Sequence, residues 1–177
     1  LEPLSLHLQK DTALFAANAA LAAGAVHSAI KFAAPFADDP AFGVVIANAN
    51  IQNEQYDAAL AAAAAVNDRD IRSSLMARIS WLAQSWNSAA QSFHKIDPNL
   101  LDERDALRFL LSAYMSKETR IPAAADAILS ENHPTIMDGA RSLFDKKPEG
   151  TALERGKRLT NEVEDEIVLF EEILRDG

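Results

Sequence analysis

The chain has 177 residues, enough for one domain with a continuous core, and a net charge of −9, which disfavours nucleic acid and anionic membranes as partners. Hydrophobic residues make up 49% but aromatic residues only 7%, and the difference is mostly alanine, which favours an all-helical chain. There is no cysteine, which excludes disulfides and thiolate chemistry. No apolar stretch approaches the roughly 18 residues that span a bilayer. Cytoplasm and periplasm both stay open as compartments.

The first six predicted helices form three pairs. Apolar residues recur at intervals of three and four along each segment, as on one face of an α-helix. Asp11 is placed to cap the first helix, Gly24 separates the first two helices, and Pro40 ends the first pair. The predicted pairs span 11–23 with 25–37, 41–53 with 55–66, and 69–84 with 86–96.

A fourth pair follows after a longer connection. Its first helix, predicted at 101–115, has an acidic start that suits the helix dipole, and its second is predicted at 121–131. At an offset of 35 residues, Ala89 aligns with Ala124. After a further short helix, a last helix is predicted at 151–175, with an apolar stripe and an acidic opposite face. This pattern predicts a terminal cap, and a docking face for a partner helix is the alternative.

The three clear pairs repeat one pattern with a constant 30-residue period. Five aligned columns carry it: Ala17, Ala47 and Ala77; Ala29, Ala59 and Ala89; Phe15, Val45 and Leu75; Leu21, Ile51 and Trp81; Val26, Tyr56 and Trp86. A fixed period of this length predicts a repeat architecture in which each unit stacks on the next. We therefore expect one helical-repeat domain over 1–177. Its clear repeats are 11–40, 41–68 and 69–98, followed by a degenerate repeat at 99–131 and a C-terminal cap at 132–177.

Three stretches resemble the second half of a tetratricopeptide (TPR) repeat: GAVHSAIKFAAPFADDP, EQYDAALAAAAAV and QSWNSAAQSFHKIDP. Each passes from a turn residue to a bulky residue and then to an alanine, and Ala89 with Phe93 gives the full Ala-x3-Phe spacing. The resemblance covers residues 11–131. It implies an all-α fold, a right-handed α-solenoid of TPR-like helix pairs with a C-terminal capping helix. Another α-hairpin solenoid is the alternative.

By this resemblance, one column of the first helices faces a concave groove that takes peptides. The column holds Asn18, Asn48 and Arg78. Asparagine is unfavourable inside a helix, so its recurrence indicates an external use, with the amides holding a peptide backbone and Arg78 a carboxylate. The remaining predicted groove residues are Leu14, Val44, Gln52 and Ser74. Solvated polar residues on an exposed face are the alternative, and the lysines of the family's peptide-carboxylate clamp are missing here.

Patterns of catalytic and metal-binding residues are missing from the sequence. None of the four histidines, His7, His27, His94 and His133, pairs recognisably with another ligand three or four residues on. There is no HExxH motif, glycine-rich phosphate loop or nucleophile elbow. We therefore expect no enzyme, no metal site and no cofactor.

These features favour a non-catalytic protein–protein interaction module or scaffold that binds a peptide or protein segment in its concave groove. A small chaperone for a secreted protein and a structural oligomerisation segment of a larger complex are the alternatives, and self-association is compatible with the sequence. The alanine-rich, cysteine-free composition favours a bacterial source. Because the chain begins at Leu1 rather than methionine, we expect it to be the last part of a longer protein.

Overall fold

Helices make up most of the chain that the structure describes. The computed structural model describes residues 6–145, so the helix predicted at 151–175 lies outside the described residues. No strand occurs between residues 6 and 145, which confirms the all-α prediction for this part. The helices there are α1 (Leu6–Ala22), α2 (Val26–Ala33), α3 (Pro40–Gln52), α4 (Tyr56–Ala64), α5 (Arg69–Leu82), α6 (Trp86–Phe93), α7 (Glu103–Met115), α8 (Ala123–Asn132) and α9 (Pro134–Asp145).

The chain divides into two compact units, residues 1–79 and 80–177. In the first unit, α1 contacts α2 and α3, α2 contacts α3, and α3 contacts α4. In the second unit, α7 contacts α6 and α8, and α8 contacts α9. From α1 to α4 and from α6 to α9, helices that follow one another in the sequence therefore pack as neighbours.

The turns inside the helix pairs share one backbone conformation. Gly24, Glu54 and Gln84 have φ values of 71°, 56° and 55°, and Lys117 has 68°. In each turn this residue's N–H donates to the carbonyl three residues before it, and the next N–H donates to the carbonyl five residues before. Such paired bonds satisfy the last carbonyls of a helix whose chain reverses through a left-handed residue. The left-handed residue thus recurs with the 30-residue period of the sequence at Gly24, Glu54 and Gln84. Lys117, in the fourth turn, follows Gln84 by a few residues more than this period.

Aspartate residues lie at the start of several helices. Three of them accept a hydrogen bond from a backbone N–H two or three residues later: Asp39, Asp68 and Asp102. Each satisfies a donor that the first turn of a helix leaves without an internal partner. The predicted cap at Asp11 is wrong, because α1 already begins at Leu6. The Asp11 carboxylate lies instead 3.4 Å from His7 Nε2, one turn earlier on the same helix.

Alanines make up about half of the buried core residues in the first unit. Two clusters make up its core, one of Ala17, Val26, Ala29, Ala33, Phe42, Val45 and Ala49, the other of Ala47, Ala59, Ala63, Val66, Leu75 and Ile79. The two predicted alanine columns are fully buried throughout, which confirms them as core positions. At Gly43 even a methyl group lacks room, since a Cβ there would lie 2.9 Å from Val66 Cγ2. The connection between α4 and α5, to which Val66 belongs, therefore approaches α3 closely at Gly43.

Large side chains form much of the buried core in the second unit. The buried residues of α7 include Leu107, Phe109, Leu110, Leu111 and Tyr114. Phe93 of α6 stacks on Phe109 with ring centroids 5.4 Å apart. Trp81 and Trp86 meet edge to face across the Gln84 turn, with centroids 5.1 Å apart and an interplanar angle of 68°. Trp81 is buried and Trp86 is half-buried.

Two residues depart from their predicted columns. Phe15 is 76% exposed, whereas Val45 and Leu75 are buried, because no helix packs on that side of α1 among the described residues. In the fourth pair the buried alanine is Ala125, and Ala124 is only half-buried. The predicted alignment failed there because the connection between α7 and α8, residues 116–122, is longer than the earlier turns and shifts the second helix relative to the first.

Candidate peptide-binding face

The predicted groove residues all lie on first helices of the first unit: α1, α3 and α5. We call this set the first-helix face: Leu14, Asn18, Val44, Asn48, Gln52, Ser74 and Arg78. Asn18, Gln52, Ser74 and Arg78 are exposed. Leu14, Val44 and Asn48 are half-buried. Leu14 packs against the first core cluster and Val44 against the second. The apolar members thus have one side in the core and the other towards solvent.

Helices α1 and α3 bring their parts of this face side by side. The Gln52 side-chain amide donates to the Leu21 carbonyl at the end of α1, with 3.4 Å between nitrogen and oxygen. Asn48 lies one turn before Gln52 on α3, and Asn18 lies one turn before Leu21 on α1. At the opposite end, Lys10 Nζ is 3.2 Å from the carboxylate of Asp39, the residue that caps α3. The Lys10–Asp39 and Gln52–Leu21 contacts thus lie at opposite ends of the stretch over which α1 and α3 contribute to the first-helix face.

Arg78 is the one charged residue of the first-helix face. It follows Ser74 by one helical turn, and both side chains are exposed. The opposite side of α5 carries Leu75 and Ile79, which pack in the second core cluster beside α3. Arg78 forms no ion pair with another residue of the described part of the chain. Its guanidinium therefore has donors available for an anionic ligand.

The asparagine amides are partly used within their own helices. The Asn18 side chain donates to the Leu14 carbonyl at 3.0 Å, and buried Asn50 donates to the Ile46 carbonyl at 2.9 Å. Such bonds to the carbonyl four residues before make a mid-helix asparagine locally tolerable. Recurrent asparagine is therefore weaker evidence for a ligand than the sequence argument assumed. The oxygen and the second N–H of the Asn18 side-chain amide stay available to a peptide backbone.

Three histidines lie beside acids. His7 pairs with Asp11, four residues on, which corrects the expectation that no histidine pairs at that spacing. His94 and His133 pair with acids that the sequence did not reveal. His94 Nε2 lies 3.2 Å from both carboxylate oxygens of Glu118, and its ring meets Phe109 at right angles. His133 contacts Glu103, which joins the starts of α9 and α7. Both acids are far from their histidines in the sequence, beyond any local spacing rule. Between residues 6 and 145 there is no group of three or more metal-ligating side chains.

A cavity of about 370 Å³ lies in the second unit. Its lining residues are Thr119, Arg120, Ile121, Asp126, Arg141 and Phe144. Arg141 donates to Asp126 at 2.9 Å, to Ser130 at 2.8 Å and to Asp138 at 3.2 Å. These bonds join α9 to α8 and neutralise the Arg141 charge, so the cavity wall has a structural role. Sequence reasoning missed it because three separate segments contribute.

None of the helices between residues 6 and 145 combines the length and apolar character that crossing a bilayer requires. Comparison with protein-family models, with curated proteins and with solved structures gave no match to this chain.

Proposed function

We propose that this chain is a non-catalytic interaction module that binds a peptide segment bearing a carboxylate on the first-helix face. The observation that carries the proposal is Arg78, an exposed cation without an ion-pair partner among the described residues, on a face whose other predicted members are uncharged. The chain as a whole carries −9, which disfavours an anionic ligand in general. Arg78 gives this face a positive charge that attracts a carboxylate.

The proposal includes a right-handed, TPR-like α-solenoid as the scaffold. Its support is the left-handed turn that recurs at Gly24, Glu54 and Gln84, together with the packing of α1, α2, α3 and α4 as successive neighbours. In a stack of helix pairs, the first helices form one continuous surface. An extended peptide can then contact several units at once.

Each part of the face has a distinct chemical role in this proposal. Arg78 holds the ligand's carboxylate through charge-assisted hydrogen bonds. Asn48 and the remaining donor and acceptor of Asn18 bind the peptide backbone. The solvent-facing sides of Leu14 and Val44 receive an apolar side chain of the ligand. The expected ligand is therefore a peptide with an acidic residue or its own C-terminus beside an apolar residue.

A selected peptide provides the test. Peptides with free C-termini are selected on the chain from a random display library, and binding of the best one is measured by fluorescence polarisation. Arg78→Ala is expected to weaken binding about tenfold or more, because a hydrogen bond to a charged group contributes about 1.5–3 kcal/mol. The melting temperature should stay nearly unchanged, since Arg78 is exposed.

Arg69→Ala is the matched control, because Arg69 is another exposed arginine on α5 and lies outside the face. It should leave binding unchanged. Amidating or neutralising the peptide's carboxylate should weaken binding to the parent and have little further effect on Arg78→Ala. If the triple variant Asn18→Ala, Asn48→Ala, Arg78→Ala binds as tightly as the parent, this face is not the binding site.

A further inference from the structure

The cavity of the second unit has both charged and apolar walls. Its volume of about 370 Å³ lies at the lower end of the range of ligand pockets, about 300–1,000 Å³, and therefore suits a small molecule. The connection between α7 and α8 contributes Thr119, Arg120 and Ile121. The helices that follow contribute Asp126 of α8 with Arg141 and Phe144 of α9.

One wall is held in place by a closed set of hydrogen bonds. Arg141 donates to Asp126 Oδ1 at 2.9 Å and to Ser130 at 2.8 Å, and the Ser130 hydroxyl donates to the same Asp126 oxygen at 2.8 Å. Asp138, which also accepts from Arg141, is exposed and does not line the cavity. Groups that satisfy one another in this way keep their positions when a ligand enters, so this wall is preorganised.

Arg120 supplies a charge that this network leaves unused. Its side chain is exposed and has no ion-pair partner in the part of the chain that the structure describes. Of the three charged wall residues two are cations and one is an anion, so the wall has a net positive charge on a chain that carries −9. A guanidinium offers paired N–H donors that match a carboxylate, and the hydroxyl of the neighbouring Thr119 adds another donor.

The apolar part of the wall comes from Ile121 and Phe144. Phe144 is buried, and the centroid of its ring lies 5.3 Å from that of Tyr114, so its position is fixed by packing. Ile121 is half-buried, so part of its surface still meets solvent. An apolar ligand body that displaces water from these side chains gains hydrophobic stabilisation.

We propose that this cavity binds a small organic monocarboxylate. The carboxylate accepts hydrogen bonds from Arg120 and Thr119. The apolar body of the ligand lies against Ile121 and Phe144. A single negative charge fits best, because Asp126 in the wall would repel a second. The cavity belongs to the second unit and the first-helix face to the first, so the two sites can be tested separately.

Benzoate is a suitable probe, because it joins one carboxylate to an apolar ring. It is titrated into the chain at constant ionic strength and followed by two-dimensional proton–nitrogen NMR. Saturable shifts are expected at the backbone amides of residues 119–121. Benzyl alcohol, which lacks the charge, and acetate, which lacks the ring, should each bind at least about tenfold more weakly than benzoate.

Two single-residue variants test the role of Arg120. Arg120→Ala should weaken benzoate binding about tenfold or more, because hydrogen bonds between charged groups are lost. Lys117→Ala is the matched control, since Lys117 is an exposed cation of the same connection that does not line the cavity. Its removal should change the affinity for benzoate by less than about twofold. Arg78→Ala, on the first-helix face, should leave the shifts at residues 119–121 unchanged.

Three outcomes would overturn the proposal. The first is the absence of saturable shifts at residues 119–121, and the second is equal benzoate affinity of Arg120→Ala and the parent. The third is benzyl alcohol that binds as tightly as benzoate. Because Arg120 is exposed, its variants should keep the melting temperature of the parent. Arg120→Lys, which keeps the charge and loses the paired donors, should bind benzoate with an affinity between those of Arg120→Ala and the parent.

Discussion

Gly24 and Glu54 occupy equivalent turns of successive helix pairs and share a left-handed backbone, with φ values of 71° and 56°. Glycine adopts this conformation without strain, whereas a residue with a Cβ loses about 1–2 kcal/mol there. The left-handed backbone is therefore unstrained at Gly24 in the first pair and strained at Glu54 in the second.

Exchanging residue types at these two turns should change stability in opposite directions. Gly24→Ala should lower the free energy of unfolding by about 1 kcal/mol. A Cβ at Gly24 meets nothing within 4 Å, so the loss comes from the backbone alone. Glu54→Gly should raise the free energy of unfolding by somewhat less than about 1 kcal/mol. Urea denaturation measures both, with Glu54→Ala as the control for side-chain loss. Equal stability of Gly24→Ala and parent would contradict the left-handed turn.

A larger side chain at Ala59 should disturb the core. Ala59 is fully buried in the cluster with Ala47 and Ala63. Ala59→Leu should therefore cost about 1–3 kcal/mol through overpacking, read from the shift of the denaturation midpoint. Ala58→Leu, one residue earlier and exposed, should change stability by less than about 0.5 kcal/mol. Equal effects of the two variants would mean that the alanine column is not the close contact.

Gly43 presents a conflict between helix propensity and packing. Alanine gains about 1 kcal/mol over glycine inside a helix, but its Cβ would lie 2.9 Å from Val66 Cγ2. Val66 is buried and β-branched, so it moves aside only at a cost, and we expect Gly43→Ala to destabilise the parent by about 1 kcal/mol. In a Val66→Ala background the same change should become stabilising. A double-mutant cycle measures this reversal, and additive effects would show that the two positions do not touch.

The link between Lys10 and Asp39 should make stability depend on acid pH. The hydrogen bond from Lys10, with one from the Ala41 N–H, holds the pKa of Asp39 below its ordinary value of 3.8. The stabilisation is therefore complete above that value and is lost as the pH falls through the lower pKa of the folded protein.

Asp39→Asn isolates this effect, because asparagine also caps a helix well. The parent should melt at a higher temperature than the variant at neutral pH, and the difference should vanish in strong acid. Added salt should reduce the difference, since both side chains are partly exposed. A difference that persists unchanged in strong acid would exclude the Asp39 charge as its source.

The positions of several helices were predictable because some of their ends carry a local signal in the sequence. Alanine-rich segments with apolar residues every three or four positions, separated by Gly24 or preceded by Asp39 and Pro40, placed the end of α1 and the helices α2 to α4. Asp11 misled the prediction because an aspartate at a helix start and one paired with a preceding histidine look alike in the sequence. Glu54 and Gln84 gave no sign of a left-handed backbone except their register with Gly24.

The candidate site was less predictable. Period matching selected residues that are exposed or half-buried on α1, α3 and α5, but it could not show that Asn18 bonds to its own helix or that Gln52 reaches Leu21. Nor could it show that Phe15 is exposed. A column alignment assigns the same environment to every copy, but among residues 6–145 no helix pair packs against the side of α1 that carries Phe15.

The tryptophan pair gives the protein a built-in reporter of limited range. Trp81 and Trp86 are the two tryptophans of the chain, and residues 6–79 contain none. Intrinsic fluorescence therefore reports on the surroundings of the Gln84 turn, whereas far-ultraviolet circular dichroism reports on helices throughout the chain. Coincident denaturation curves from the two signals would indicate one cooperative transition, and separated curves would show that the tryptophan-free part unfolds independently. An experimenter who follows fluorescence alone would miss any early melting of α1 to α4.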